Sequence, residues 1–175
     1  NKKKKTEQIQ ERVHELGRQI TKDYQGQEIV LIGVLRGVVC FMADLMRNID
    51  LDLSIDFMEI SHFTETPEQP VTVTKDLEID VKGRPLILVE DIVDTGMTIQ
   101  FLLKHLWSKT PSSVAVCTLL DKVVRRMNEV PIPYRGFEIP DEFVVGYGLD
   151  YQGLYRNRPD IAVLKPVEPK IIPQR

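Results

Sequence analysis

"LILVEDIVDTGMT", Leu86 to Thr98, decides the fold. Leu86–Val89 is a continuous apolar run, as expected of a strand buried on both faces. Asp94–Thr98 then reads as a tight turn into a helix whose apolar positions are Ile99, Leu102, Leu103 and Leu106. In an open parallel sheet, ligands bind beyond the carboxyl ends of the strands. A helix start there offers unpaired N–H groups and partial positive charge, with Gly96 permitting close approach and Thr95 and Thr98 adding hydroxyls. The turn is therefore a phosphate cradle, with Asp94, Thr95, Gly96, Met97 and Thr98 as its residues. It is not a P-loop, because G-x-x-x-x-G-K-[ST] is absent, and G-x-G-x-x-G is absent as well. Three acids, Glu90, Asp91 and Asp94, stand beside it. Carboxylates repel a bare phosphate. They tolerate a phosphorylated sugar, whose hydroxyls donate to them, and Mg²⁺ can bridge acid and phosphate.

Outward from this stretch, strands and helices alternate. Ile9, Val13, Leu16 and Ile20 predict an amphipathic helix over 6–24. A buried strand follows at 28–35, a helix at 37–49, and an alternating strand through Leu51, Leu53, Ile55 and Phe57. Residues 61–75 are polar with two prolines, which predicts a long mobile loop or a ragged hairpin, a common form of active-site lid. "SVAVCTLL" (113–120) is a further strand. This order predicts an α/β fold: a mostly parallel central sheet flanked by helices on both faces. Residues 121–159 are rich in Pro, Gly and aromatics and predict a small hood over one edge of the core (roughly 6–120 and 160–166), with "FVVGYGLDY" (143–151) as a strand. "DIAVLKP" (160–166) predicts a last short strand and the remainder a loose tail.

The bulk properties narrow the class. With 175 residues the chain suffices for one domain with a substantial core. A balance of 23 basic against 26 acidic side chains, net −3, disfavours nucleic acid as the main partner, and Lys2–Lys5 reads as a solvated end. No apolar run approaches a membrane span and no signal-peptide pattern opens the sequence, so the cytoplasm is the expected compartment. Cys40 and Cys117 lie in apolar stretches without a second ligand at metal spacing, and read as buried thiols.

"VEDIVDTGMT" resembles the phosphoribosyl-diphosphate signature of type I phosphoribosyltransferases. "VLRGVVCFMADL" (34–45), "LLDK" (119–122) and "GFEIPDEFVVGYGLDYQGLYRNRPDIAVLKP" (136–166) resemble the pyrophosphate loop and purine-binding hood of the hypoxanthine-guanine phosphoribosyltransferase family. The resemblance covers nearly the whole chain in the family's order. It implies a purine-salvage transferase joining N9 of hypoxanthine, and of guanine, to C1′ of 5-phosphoribosyl 1-diphosphate. The products are IMP or GMP and pyrophosphate, Mg²⁺ is the cofactor, and the assembly is a homodimer or homotetramer.

Roles follow residue by residue from the same resemblance. Asp94 matches the acid near purine N7, a candidate general base. Glu90 and Asp91 match acids that meet the ribose hydroxyls, directly or through metal. Leu35, Arg36 and Gly37 match the pyrophosphate loop, with an implied cis Leu35–Arg36 peptide, and Arg156 a pyrophosphate-contacting arginine. Lys122 matches the donor to the purine 6-oxo group, Phe143 the aromatic that stacks on the base, and Val144 and Asp150 positions whose carbonyls meet its edge; Asp150 is also a candidate metal ligand. Two departures stand out. The mobile loop opens with Ser61-His62-Phe63 instead of Ser-Tyr, and Met97 fills a slot that is often basic. Other functions on this fold would be a non-catalytic nucleotide-sensing regulator that binds RNA, predicting a basic face, or a xanthine-preferring transferase.

Overall fold

The computed structural model describes residues 4–61 and 71–165. The first apolar run forms β1 (Ile29–Val34), buried along its whole length. It lies at the centre because both its faces are apolar: Leu31 packs into one core, Val30 and Ile32 into another. The first core is filled by α1 (Thr6–Asp23) and α2 (Val39–Arg47) through Ile9, Val13, Leu16, Ile20, Phe41 and Leu45. The second is covered by α3 (Met97–Trp107) through Ile99, Leu102 and Leu106. Helices thus flank both faces, as the alternation predicts.

The remaining strands of the central sheet are β2 (Leu53–Ile60), β3 (Val73–Lys75), β4 (Pro85–Val93), β5 (Ser113–Asp121) and β6 (Tyr134–Glu138), in the order β3-β2-β1-β4-β5-β6. Only β3 is antiparallel. It pairs with the end of β2, so the two described ends of the 61–75 segment lie side by side. Ser61 and Thr72 fasten its stem: Ser61 N–H donates to the Thr72 carbonyl and Thr72 N–H to Ser61 Oγ, both at 2.9 Å. His62, like the rest of 62–70, lies outside the described residues, as does the expected tail.

Three sequence expectations need correction. β4 continues through the acids to Val93, because Glu90 pairs in register with Thr118 of β5. The predicted strand over 143–151 is only β7 (Val144–Val145), paired with the equally short β8 (Ala162–Val163). Positive φ at Gly146, Tyr147 and Gly148 turns the backbone out of extended geometry. Cys117 is buried, but Cys40 is only half-buried on the first turn of α2; both are free thiols. Strand β6 has no counterpart among the sequence expectations. It lies within 121–159 yet extends the central sheet, and Gly136 sits so close to it that a Cβ there would meet the Leu119 carbonyl at 2.3 Å. Among the described residues, no helix is long and apolar enough to cross a membrane.

Candidate active site

Strands β1, β4 and β5 run parallel and end on the same edge of the sheet. A cavity of about 480 Å³ opens there. It is lined by side chains from separate parts of the chain, among them Arg36, Glu90, Asp94, Lys122, Phe143 and Arg156. Leu35, Gly37, Asp91, Val144 and Asp150 also border it, so the pyrophosphate-loop, acid and hood residues expected from the sequence converge on one space. Ile60, Ser61 and Val71 bring the hairpin stem to its rim. A smaller cavity of about 120 Å³ adjoins it, walled by Asp94, Thr95, Gly96 and Thr98.

The small cavity sits at the start of α3. Gly96 caps that helix at φ 89°, a left-handed conformation, and a Cβ there would meet the Asn128 carbonyl at 2.7 Å. No side chain caps the helix; the Thr95 hydroxyl reaches Met97 N–H only at 3.4 Å. The first-turn N–H groups are therefore available to an anion. Met97 is exposed and brings no charge to the turn. Behind the turn, Met127 N–H and Asn128 N–H donate to the Thr95 carbonyl at 2.9 and 3.2 Å, and Arg126 Nε to the Asp94 carbonyl at 3.3 Å.

The acids divide by environment. Glu90 is buried within β4, and burial, reinforced by the neighbouring Asp91 charge, pushes its carboxyl well above the ordinary range. Burial also pushes Asp91 up to about 6, against the pull of hydrogen bonds from backbone N–H groups and of the Arg156 charge. Asp91 Oδ1 accepts from Ile92 N–H at 2.7 Å. Its other oxygen fills the space where a Cβ on Gly37 would come within 1.8 Å. Asp150 faces the same cavity, held by Gly153 N–H at 2.8 Å and by Arg156 Nη2 at 3.4 Å. Among the described residues, no three acids or other ligands are grouped so as to hold a metal by themselves. Glu90 and Asp91 both border the cavity, and such carboxylates suit a divalent cation, whose charge would offset theirs. Ligand and water oxygens would complete its shell.

On the hood side, Lys122 follows β5 directly and is 9% exposed, so its ammonium is committed to the cavity side. Its Nζ lies 3.6 Å from Asp141 Oδ1. Phe143 is 52% exposed, borders the cavity and packs against Tyr151 in a T-shaped pair with ring centroids 5.7 Å apart. Arg156 Nη1 donates to the Gly148 carbonyl at 2.7 Å. The Leu35–Arg36 peptide is cis, as the resemblance implies. Asp121, Arg125, Arg126 and Asp141 were absent from the sequence expectations. Their contacts depend on tertiary folding, and the pair "RR" after a lysine reads as ordinary surface charge.

A nucleotide-sized cavity with an anion-ready helix start at one end and a buried lysine at the other defines a class of protein as well as a site. The family described as the phosphoribosyl transferase domain matches residues 4–152. The hypoxanthine-guanine phosphoribosyltransferase of Staphylococcus aureus is 47% identical over 163 residues, 91% of this chain and 90% of that protein. The hypoxanthine phosphoribosyltransferase of Haemophilus influenzae is 49% identical over 154 residues, 85% and 86% of the two chains. A crystal structure of a hypoxanthine-guanine phosphoribosyltransferase from Bacillus anthracis superposes with a TM-score of 0.89 at 44% identity, covering 93% of this chain and 96% of that one. The chain belongs to the hypoxanthine-guanine phosphoribosyltransferases of the phosphoribosyltransferase family.

Proposed function

We propose that this protein transfers the phosphoribosyl group of 5-phosphoribosyl 1-diphosphate to N9 of hypoxanthine, and of guanine, releasing pyrophosphate and forming IMP or GMP in purine salvage. The observation that carries this is the single cavity shared by Asp94, Lys122, Phe143 and Arg156, continuous with the helix start that can take a phosphate.

In this reading the turn Asp94–Thr98 grips the 5′-phosphate through N–H groups and hydroxyls. Glu90 and Asp91 accept hydrogen bonds from the ribose hydroxyls or hold Mg²⁺, with Asp150 an additional metal ligand. When bound, Mg²⁺ offsets charge on the diphosphate and fixes it against the ribose. Phe143 stacks on the purine. Lys122 donates to the 6-oxo oxygen, which favours 6-oxopurines over adenine, whose 6-amino group would meet a donor with donors. Val144 and Asp150 offer backbone carbonyls to the base edge. As the C1′–O bond to pyrophosphate breaks, positive charge grows on the ribose and negative charge on the leaving group. Arg156 and the loop Leu35-Arg36-Gly37 stabilise the latter. The N9 lone pair forms the new bond to C1′, and Asp94 takes the proton from N7. The segment starting at Ser61 and His62 lies at the cavity rim through Ser61, and serves as a lid that keeps water from the cationic ribose. Residues 121–159, apart from β6 in the central sheet, form the purine-binding hood, and the active form is a homodimer or homotetramer in the cytoplasm.

Two predictions arise here. The methyl of Gly37→Ala would displace the Asp91 carboxylate, so this variant should lose about 10- to 100-fold in kcat/KM for the sugar diphosphate. Steady-state kinetics checks this, and an unchanged kcat/KM contradicts it. The second concerns pH. Asp91 rises from 3.8 to about 6 on folding, so between those values the native state binds more protons than the unfolded one. Stability of the free protein therefore falls as pH rises through that window, and Glu90 acts in the same direction. A divalent cation needs ionised carboxylates. The rise in melting temperature on adding Mg²⁺ and sugar diphosphate should be larger at pH 8 than at pH 5; a larger rise at pH 5 contradicts the assignment.

The function itself is tested by pyrophosphate release with Mg²⁺, the sugar diphosphate and each of hypoxanthine, guanine, xanthine and adenine. Turnover with hypoxanthine and guanine supports it. Turnover with xanthine alone would make the protein a xanthine-preferring transferase, turnover with adenine alone would contradict the role of Lys122, and salt-sensitive RNA binding without turnover would indicate a regulator.

A further inference from the structure

We propose that Arg125 is a positioning residue of this site: it neutralises the Asp94 carboxylate from outside the cavity and so lets a phosphate dianion occupy the adjoining turn. This rests on the reading above, in which Asp94–Thr98 holds the 5′-phosphate.

Arg125 closes the short 3-10 turn Val123–Arg125 that follows Lys122, and its own N–H is tied to the Lys122 carbonyl at 2.9 Å. From there its Nε donates to Asp94 Oδ1 at 3.1 Å. Its Nη1 lies 3.7 Å from Asp141 Oδ2, and Asp141 Oδ1 is 3.6 Å from Lys122 Nζ. Asp94, Arg125, Asp141 and Lys122 therefore form a chain of alternating charge that joins the phosphate end of the site to the purine end. Asp141 stands by Nη1 while Nε engages Asp94, and it balances the ammonium of Lys122 at the same time.

Asp94 lines both cavities, whereas Arg125 lines neither. Arg125 thus acts through Asp94 and not on the ligand. Among the described residues, two arginines touch the turn. Arg126 is engaged by the buried Asp121 and by the Asp94 main-chain carbonyl. Arg125 is the one directed at the Asp94 carboxylate. Met97, the first residue of α3, supplies no charge of its own. A dianion seated on the helix start would otherwise meet an unbalanced carboxylate within a few ångströms, and Coulomb repulsion at that range is large wherever water is partly excluded. Arg125 converts that carboxylate into half of an ion pair before the ligand arrives.

The test compares binding of inosine and inosine 5′-monophosphate, which differ only by the phosphate, to the full protein by calorimetry. The ratio of their dissociation constants is the phosphate advantage. Arg125→Gln should reduce this advantage about three- to tenfold while inosine binding changes less than about twofold. Arg125→Lys should recover most of it. In the Arg125→Gln background, Met97→Lys should recover part of it by restoring charge from the other side of the turn. The difference between wild type and Arg125→Gln should shrink at high ionic strength, because the pair is exposed. A purely structural role predicts no rescue by Met97→Lys and no salt dependence, and that result overturns the proposal. So does an unchanged phosphate advantage in Arg125→Gln. If the wild-type protein itself binds the nucleotide no better than the nucleoside, both this inference and the assignment of the phosphate turn fall. A large wild-type advantage that Arg125→Gln leaves intact refutes this inference alone.

Discussion

Asp94→Asn should bind the sugar diphosphate and the nucleotide nearly as well as wild type, yet turn over about 10²- to 10⁴-fold more slowly. Asparagine preserves the size of the side chain, and the Asp94 carbonyl keeps its contact with Arg126, so the turn should hold its shape. In the proposed function the phosphate would be gripped chiefly by the N–H groups at the start of α3, which this substitution does not touch. What disappears is a proton acceptor at the boundary of the two cavities. The loss should therefore fall on kcat, with KM for the sugar diphosphate within a few-fold of wild type. Equal losses in binding and turnover would make Asp94 a structural element of the cradle, and near-native turnover would remove it from the chemistry.

The second large effect concerns stability. Asp121 is fully buried at the end of β5, where Oδ1 accepts from Arg126 Nη2 and Oδ2 lies 2.8 Å from Arg135 Nε. Oδ2 has no well-aligned hydrogen bond, so its charge depends on the arginines for compensation. Removing Asp121 leaves the mostly buried Arg126 guanidinium without its partner, while the half-exposed Arg135 can turn to water. Asp121→Ala should cost about 3–5 kcal/mol in urea unfolding. Arg126 would lose the anchor from which it reaches the Asp94 carbonyl, so nucleotide affinity should fall in the molecules that remain folded. A cost below about 1 kcal/mol would mean that the two arginines find water or other partners, and that the back of the phosphate turn is supported in another way.

Much of this architecture is legible in the sequence because the driving patterns are local. The apolar runs at 28–35 and 86–89 read as strands buried on both faces and 113–120 as a further strand; β1, β4 and β5 cover them, with β1 buried throughout and the first three residues of β5 half-buried. Helical spacing at Ile9, Val13, Leu16 and Ile20 placed α1 against the sheet. The turn at Asp94–Thr98 was readable because a glycine, two threonines and a following amphipathic run leave few other geometries. What the sequence concealed depends on partners far along the chain. Glu90 was expected to lie beyond the strand Leu86–Val89, but its pairing opposite Thr118 draws it into β4 and buries it. Strand β6 was hidden because Pro131 and Pro133 precede it and Gly136 interrupts it, and both features ordinarily argue against a strand. The apparent strand over 143–151 failed because its glycines serve left-handed turns. The contacts among Asp94, Arg125, Asp141 and Lys122 join residues up to 31 positions apart in the chain, and no local signal announces them.

The acids beside the phosphate turn divide into separate electrostatic tasks: in the proposed function Glu90 and Asp91 would take sugar hydroxyls and a cation, while Asp94 is paired with Arg125. A crystal structure with bound IMP tests this most directly. The 5′-phosphate should lie within about 3 Å of N–H groups at the start of α3, with ribose hydroxyls donating to Glu90 and Asp91. A phosphate seated elsewhere, with that helix start untouched by the ligand, would contradict it.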